Sequence, residues 1–409
     1  MKKRQSLSSF SSSHKEKRSS VLLIDTEGSS YYTCYLARGL SKFRKVILYS
    51  FSEEYYKITG ADKQKEIEFH YIKKWLPKGY SPLRGIARVF LLFFVLFSAL
   101  MRTNYDTIHI HEHLPTFFLF IPLLKIRRKK LVWTLHDVEL YRTDSGIIGR
   151  LQLLFRKVVS QPNIVSRFAD IIFVHAYSLR EHLITKGIDK NKIHVIRHFD
   201  YRFLLEFEKQ KIANTHDIEW SDYVLFFGSI APWKGIETLL DSVKIVRNKI
   251  GEKFCLVIAG TPYEAYKQVP FFQNFTEDDY KCIKIIDSYI SSSEIPNLIR
   301  NCAFLVLPYD FSSRFSVSGV IPLAYTFAKP VVVSNVPSLS EYVEDGKTGL
   351  IFDIGNSNML ADCIRDLVID KSKCVEMGNN SYVKITTEMS LESCSAQIND
   401  MYNNIKNVT

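Results

Sequence analysis

Short unbroken apolar runs, each followed by a helical stretch, recur along almost the whole chain, and this alternation leaves few folds open. VLLID at 21–25, VILY at 46–49, DTIHIH at 106–111, KLVWTL at 130–135, IIFV at 171–174 and residues 193–196 read as strands in the first half. The second half repeats the plan at 223–227, 254–259, 283–286, 304–307, 330–334 and 349–352. Strands that are apolar throughout belong to parallel sheets covered by helices on both faces. Helical patterns fall between them, at 31–40, 236–248, 293–301 and 319–327, and two more close the chain at 357–370 and 390–406. The 409 residues are too many for one core and suit two domains of about 200. The expected layout is a flexible basic tail at 1–20, a first α/β domain at 21–205, a polar linker at 206–222 and a second α/β domain at 223–385. A C-terminal helix at 386–409 can cross back to the first domain. In such sheets ligands bind outside the carboxyl ends of the strands, so two of them would share a central cleft.

Charge divides the halves. Residues 1–215 carry 37 Lys+Arg against 19 Asp+Glu, a net of +18, and the remainder carries 17 against 24, a net of −7. The first half is thus expected to meet an acidic surface or ligand. Nucleic acid is disfavoured, because no stacking motif is interleaved with the basic residues. The seven cysteines show no Cys-x-x-Cys spacing, which points away from a zinc site or disulfide framework and toward a reducing, cytoplasmic setting. No apolar core of a signal peptide follows the basic tail. The run VFLLFFVLFSALM at 89–101 has 13 uncharged residues, short of the ~20 that span a bilayer. With Arg84, Arg88 and Arg102 around it and FFLFIPLLKIRRKK at 117–130, it fits either a buried helix or one lying on an anionic leaflet.

Two loops of the second half suit phosphate. In FFGSIAPWKGIETLL a strand ends at Phe227, Gly228 turns the chain, and a helix opens near Gly235, with Ser229 and Lys234 in the loop. Backbone N–H groups at a helix start and an ammonium both favour an anion. In YDFSSRFSVSGVIPLAY a second strand runs into a hydroxyl-rich loop whose Arg314, Ser316, Ser318 and Gly319 can serve a diphosphate, although Ser318 is equally a normal helix cap. In the first half, His109, His111, Glu112, His113, His136, Asp137 and Glu139 cluster at strand ends, and His175 and His198 end later strands. Alternation in a strand would turn His109 toward the core, and no complete ligand set follows, so metal is disfavoured. His136 is the better candidate for a polar or proton-handling contact.

The order VLLIDT, TLHDV, FGSIAPWKGIETLL, VLPY, SGVIPLAYTFAKPVVVS and LSEYVEDGKTGLIF resembles the family 4 glycosyltransferases, which have the GT-B fold of two Rossmann-like domains. The resemblance covers nearly the whole chain beyond the tail and is strongest over 223–370. It implies sugar transfer from a nucleotide-diphosphate donor to an acceptor, with retention and without a metal or other cofactor. By the same resemblance Lys234 contacts the donor diphosphate, Gly228 precedes it as the family glycine, and Ser318 and Gly319 offer backbone amides to the phosphate. His136 lies beside the transferred sugar, and Gly28 and Ser29 occupy the first strand-to-helix loop. Ser229 stands where the family often has arginine, and Phe315 and Leu323 stand where its paired glutamates fall, as in a branch tied to capsule and surface polysaccharide.

The resemblance thus implies a metal-independent hexosyltransferase. Lys234, Arg314 and His136 are its expected catalytic groups, and a glycan or lipid-linked glycan on the inner face of the plasma membrane is its acceptor. A nucleotide-sugar epimerase of the same fold and a non-catalytic partner of a polysaccharide assembly complex are the alternatives. Product analysis with and without acceptor separates the first, and failure to bind any nucleoside diphosphate would indicate the second.

Overall fold

A computed structural model describes residues 19–25, 30–50, 66–72, 93–102, 104–111, 120–138, 167–209, 218, 220–251, 254–263, 266, 276–277 and 281–405. Among these residues thirteen strands form two sheets, every ladder parallel. The first holds β1 (Ser20–Asp25), β2 (Lys45–Ser50), β3 (Ile67–Tyr71), β4 (Thr107–His111), β5 (Lys130–Leu135), β6 (Ile171–Val174) and β7 (Ile193–Val195), in the order 3-2-1-4-5-6-7. The second holds β8 (Tyr223–Phe227), β9 (Leu256–Ala259), β10 (Ile283–Ile286), β11 (Cys302–Leu307), β12 (Val331–Ser334) and β13 (Gly349–Phe352), in the order 10-9-8-11-12-13.

Successive strand residues point to opposite faces, and both faces are buried. Leu22, Ile24, Ile47 and Ile108 pack on one side of the first sheet. Val21, Leu23, Val46 and Leu48 pack on the other, in a cluster that continues through Phe199 and Phe203 to Leu225 and Leu305 of the second sheet. The far face of the second sheet, with Val224, Phe226 and Val306, closes its own core against α4 (Ile236–Ile250) and α7 (Ser357–Ile369).

The remaining helices are α1 (Ser30–Leu40), α2 (Ile121–Ile126), α3 (Tyr177–Thr185), α5 (Ile295–Arg300), α6 (Val320–Thr326), α8 (Lys371–Thr387) and α9 (Leu391–Asn404), with a single helical turn at Pro337–Ser340. Residues 93–101 are also helical. The polar stretch after residue 200 is less open than its composition suggests: Arg202–Lys209 forms a 3-10 helix that buries Phe203 and Leu204. The chain ends in three helices rather than two, and α9 returns to the first sheet. Its Leu391, Cys394, Ile398 and Tyr402 are buried there, and the guanidinium of buried Arg44 donates to Asn399 Oδ1 (2.8 Å) and Asn403 Oδ1 (2.9 Å).

Where it is described, run 89–101 has one buried and one exposed side. Residues 89–92 lie outside the described part. In the 93–101 helix Leu96, Ala99 and Leu100 are buried, whereas Phe94, Phe97, Ser98 and Met101 are exposed. Among the described residues no helix is long and apolar enough to cross a membrane.

Candidate functional site

Strand order reverses direction once in each sheet, beside β1 and β4 in the first and beside β8 and β11 in the second. Loops leaving neighbouring strands there diverge to opposite faces and open a crevice. The loop after β8 is 228–235 and the loop after β11 is 308–319, the two segments whose composition suits phosphate.

Backbone contacts fuse these two loops. The Trp233 carbonyl accepts from Asp310 N–H (3.2 Å) and Ser313 Oγ (2.7 Å). Gly235 turns the chain at φ +65°, and a Cβ there would lie 1.8 Å from the Pro308 carbonyl oxygen. Only glycine combines this left-handed backbone with so close an approach. The fusion fixes Lys234, whose Nζ sits 3.7 Å from the centroid of the Tyr309 ring, a cation–π distance. Tyr309 Oη in turn lies 2.9 Å from Ser318 Oγ, and Ser318 Oγ accepts from Val320 N–H at 3.3 Å. Lys234, Tyr309 and Ser318 thus form one row at the start of α6. Gly228 is at φ +114°, and Ser229 is exposed beside it.

Arg314 takes a different place. Its Nη1 donates to the Phe311 carbonyl (2.9 Å), and its guanidinium stacks 4.0 Å from the Phe315 centroid and 4.4 Å from that of Phe311. Ser316 faces the first domain: it forms an antiparallel bridge with Asp137, and Val138 N–H donates to the Phe315 carbonyl at 3.0 Å. The 308–319 loop therefore touches the segment that carries His136 directly.

His136 belongs to a buried ring cluster at the carboxyl ends of the first sheet. Tyr32 of α1 lies 4.7 Å from His136, 5.0 Å from His175, 5.0 Å from His198 and 5.6 Å from His111, centroid to centroid, and stacks at 4.4 Å on Phe199. His136 and His175 are 4.5 Å apart. Burial pushes all of these imidazoles down, with neighbouring histidines adding to it for His111, His136 and His198: His198 to about 3, His175 to about 4, His111 and His136 well below the ordinary value. They are neutral at pH 7, which suits them to hydrogen bonding rather than to charge. His175 Nδ1 lies 2.8 Å from the Ile196 carbonyl, so it carries the proton, and Nε2 is left as an acceptor with no hydrogen-bond partner among the described residues.

His109 is spent on the fold. It faces the core, with Nδ1 2.5 Å from Tyr402 Oη and Nε2 2.6 Å from Thr134 Oγ1, and burial lowers it to about 3. Gly28, Ser29, Glu112, His113 and Glu139 lie outside the described residues. Among the described residues no group of three or more His, Cys, Asp or Glu side chains is placed to hold a metal ion.

Second-domain residues also reach the cluster. Gly319 packs so that a Cβ would come within 2.7 Å of Tyr201 Oη and 3.6 Å of His198 Nε2. The Tyr342 hydroxyl donates to the His175 carbonyl (2.5 Å) and accepts from His198 N–H (3.2 Å). Glu341 accepts from the first N–H groups of α3, at Tyr177 (2.8 Å) and Ser178 (3.2 Å), and from Arg197 Nη1 (3.3 Å). Sequence reasoning missed Tyr32 and Tyr201, which carry no motif of their own, and it gave Glu341 and Tyr342 no role although both lie in the quoted segment LSEYVEDGKTGLIF. Tyr309 was signalled by its place directly after a strand, in VLPY.

Two family models divide the chain between them. "Glycosyltransferase Family 4" matches residues 26–199, and "Glycosyl transferases group 1" matches residues 221–370. The chain is a glycosyltransferase of the family 4 type, with the GT-B fold. The transferase is 22% identical over 315 residues to an uncharacterized 41.2 kDa protein in the cps region of Klebsiella pneumoniae, covering 74% of this chain and 81% of that one. It is 26% identical over 245 residues to the capsular polysaccharide biosynthesis glycosyltransferase CapM of Staphylococcus aureus, covering 57% of this chain and 61% of that one. Among solved structures, HepE of Anabaena in complex with UDP and glucose superposes with a TM-score of 0.66 at 18% identity, over 94% of the transferase and 99% of HepE.

Proposed function

We propose that the transferase moves a hexose from a uridine diphosphate sugar to a glycan or lipid-linked glycan, with retention of configuration and without a metal, in capsule or surface polysaccharide synthesis. The observation that carries the reading is the fusion of the two switch-point loops into one row, Lys234–Tyr309–Ser318, joined through Ser316 to the segment bearing His136. Uridine is favoured because HepE is described with UDP and with UDP-glucose, and polysaccharide because CapM is named for it.

In this reading the diphosphate lies on the 228–235 and 316–319 loops, where the Lys234 ammonium and backbone N–H groups stabilise the charge that develops on the leaving phosphate. The acceptor oxygen forms its bond to the anomeric carbon as the bond from that carbon to the diphosphate oxygen breaks. The acceptor's proton passes to the departing phosphate, on the same face of the sugar. His136, held neutral, positions the sugar by hydrogen bonding. Arg314 would have to leave Phe311 to help; in its present place the cationic work falls to Lys234.

A thermal-shift series with UDP, GDP, ADP and their sugars tests the donor, since a ligand of the folded state stabilises it in proportion to occupancy. UDP and a UDP-hexose are expected to raise the melting temperature. Sugar must then appear on an acceptor, in the presence of EDTA as well. Hydrolysis or isomerisation alone, equal with and without acceptor, would overturn transfer.

A further inference from the structure

The 93–101 helix is apolar on both sides, which a helix at the surface of a water-soluble domain is not. Its inner side, Leu96, Ala99 and Leu100, closes the core with Phe120 and Leu124. Its outer side shows Phe94 (62% exposed), Phe97 (40%) and Met101 (43%), spaced i, i+3, i+7 and so aligned in one stripe. Phe97 stacks on Phe93, which packs 4.8 Å from Phe120, so the stripe is held in place.

The stripe ends on cations. Arg127 Nη1 donates to the Met101 carbonyl at 3.0 Å and approaches its sulfur at 3.3 Å, which brings the end of α2 alongside. There Ile126 is 80% exposed, between Lys125 and Arg127, with Arg128 exposed next to it. Lys125 is shared with Asp170 at 3.4 Å. Apolar side chains edged by arginine and lysine, on the half of the chain with net charge +18 (37 − 19), match a surface that is apolar inside and anionic outside.

We infer that the stripe Phe94–Phe97–Met101, together with Ile126 and Arg128, is the face by which the transferase lies on an anionic lipid bilayer. Phenyl and thioether groups enter the headgroup–acyl boundary while the arginines meet lipid phosphates. The face lies on the first sheet's side away from α1 and α9. The inference rests on the proposed function only in taking the acceptor to be lipid-linked, and vesicle binding is read with neither donor nor acceptor present, so the two can fail separately.

The test is partition of the full chain onto vesicles of phosphatidylcholine with phosphatidylglycerol. Binding is expected to the anionic vesicles and to weaken with salt, because screening shortens the reach of the arginines. Phe94→Ser with Phe97→Ser should lower the partition coefficient by roughly tenfold or more, the two phenyl groups being the largest apolar area offered. Ile126→Ser with Arg128→Glu lies outside the inner core and should lower it too, with an unchanged melting temperature. Partition unaltered by either variant, or absent at low salt, would overturn the assignment. So would a dimer of the wild type that Phe94→Ser with Phe97→Ser abolishes, since a second copy would then cover the stripe.

Discussion

At the residue scale the site depends on how tightly two backbones can approach. Gly235 is the joint: its left-handed φ and its contact with the Pro308 carbonyl leave no room for a methyl group. Gly235→Ala is expected to cost about 2 kcal/mol or more of stability, from strain and clash together. It should weaken nucleotide binding as well, because Lys234 would lose its seat on Tyr309. Urea unfolding checks the first effect; an unchanged midpoint would contradict the described loop. The placement of Gly228, Lys234 and the 316–319 segment in two strand-to-helix loops was legible in the sequence, because each loop follows an apolar strand run. The engagement of Arg314 with Phe311 and Phe315 was not, since an arginine in a loop carries no sign of which neighbour it will stack upon.

Histidine burial gives a second residue-scale consequence. His109, His175 and His198 are held at about 3, 4 and 3, and His111 and His136 lower than their ordinary value. The unfolded chain then binds more protons than the folded one as pH falls below about 6.5, so stability is full above that pH and declines below it. Between pH 7 and pH 5 the loss is roughly 1–2 kcal/mol for each of His109, His175 and His198. Urea midpoints at the two pH values should fall steeply on acidification. Equal midpoints would mean that the imidazoles are solvated.

At the scale of elements, two pieces were hard to read for opposite reasons. Strand β3 is half-buried along its whole length at the sheet edge, so IEFHY lacks the apolar run that marked the other strands. Helix α8 is polar and contains Gly378, whose bare backbone sits where a Cβ would lie 2.2 Å from the Ala328 carbonyl. A residue required by close packing thus resembled a helix breaker. Helix α9 was legible as a helix, and its partners give it weight. It supplies Tyr402 to His109 and two asparagines to Arg44, a fully buried cation whose Asp106 contact is 3.7 Å. Removing residues 390–409 would strand that guanidinium, at a cost of about 3–5 kcal/mol, and expose the apolar side of α1. The truncated chain is expected to lose its cooperative thermal transition; melting within a few degrees of the full chain would show that α9 is dispensable.

At the scale of the whole molecule, the doubled α/β plan was legible because continuous apolar strands have only one environment, a sheet covered on both faces. The meeting of the domains was not, because it is made by single side chains and backbone groups: Ser316 on Asp137, Tyr342 between His175 and His198, Glu341 on the start of α3. In the proposed function a nucleoside diphosphate lies on the second-domain wall of this cleft and Lys234 holds it. Calorimetric titration of UDP into the full chain and into Lys234→Ala tests this most directly. The wild type should bind UDP, and Lys234→Ala should bind it at least about tenfold more weakly, the loss of one charge-assisted contact, with the same melting temperature. Equal binding by both proteins, or no nucleoside diphosphate bound by the wild type, would contradict it.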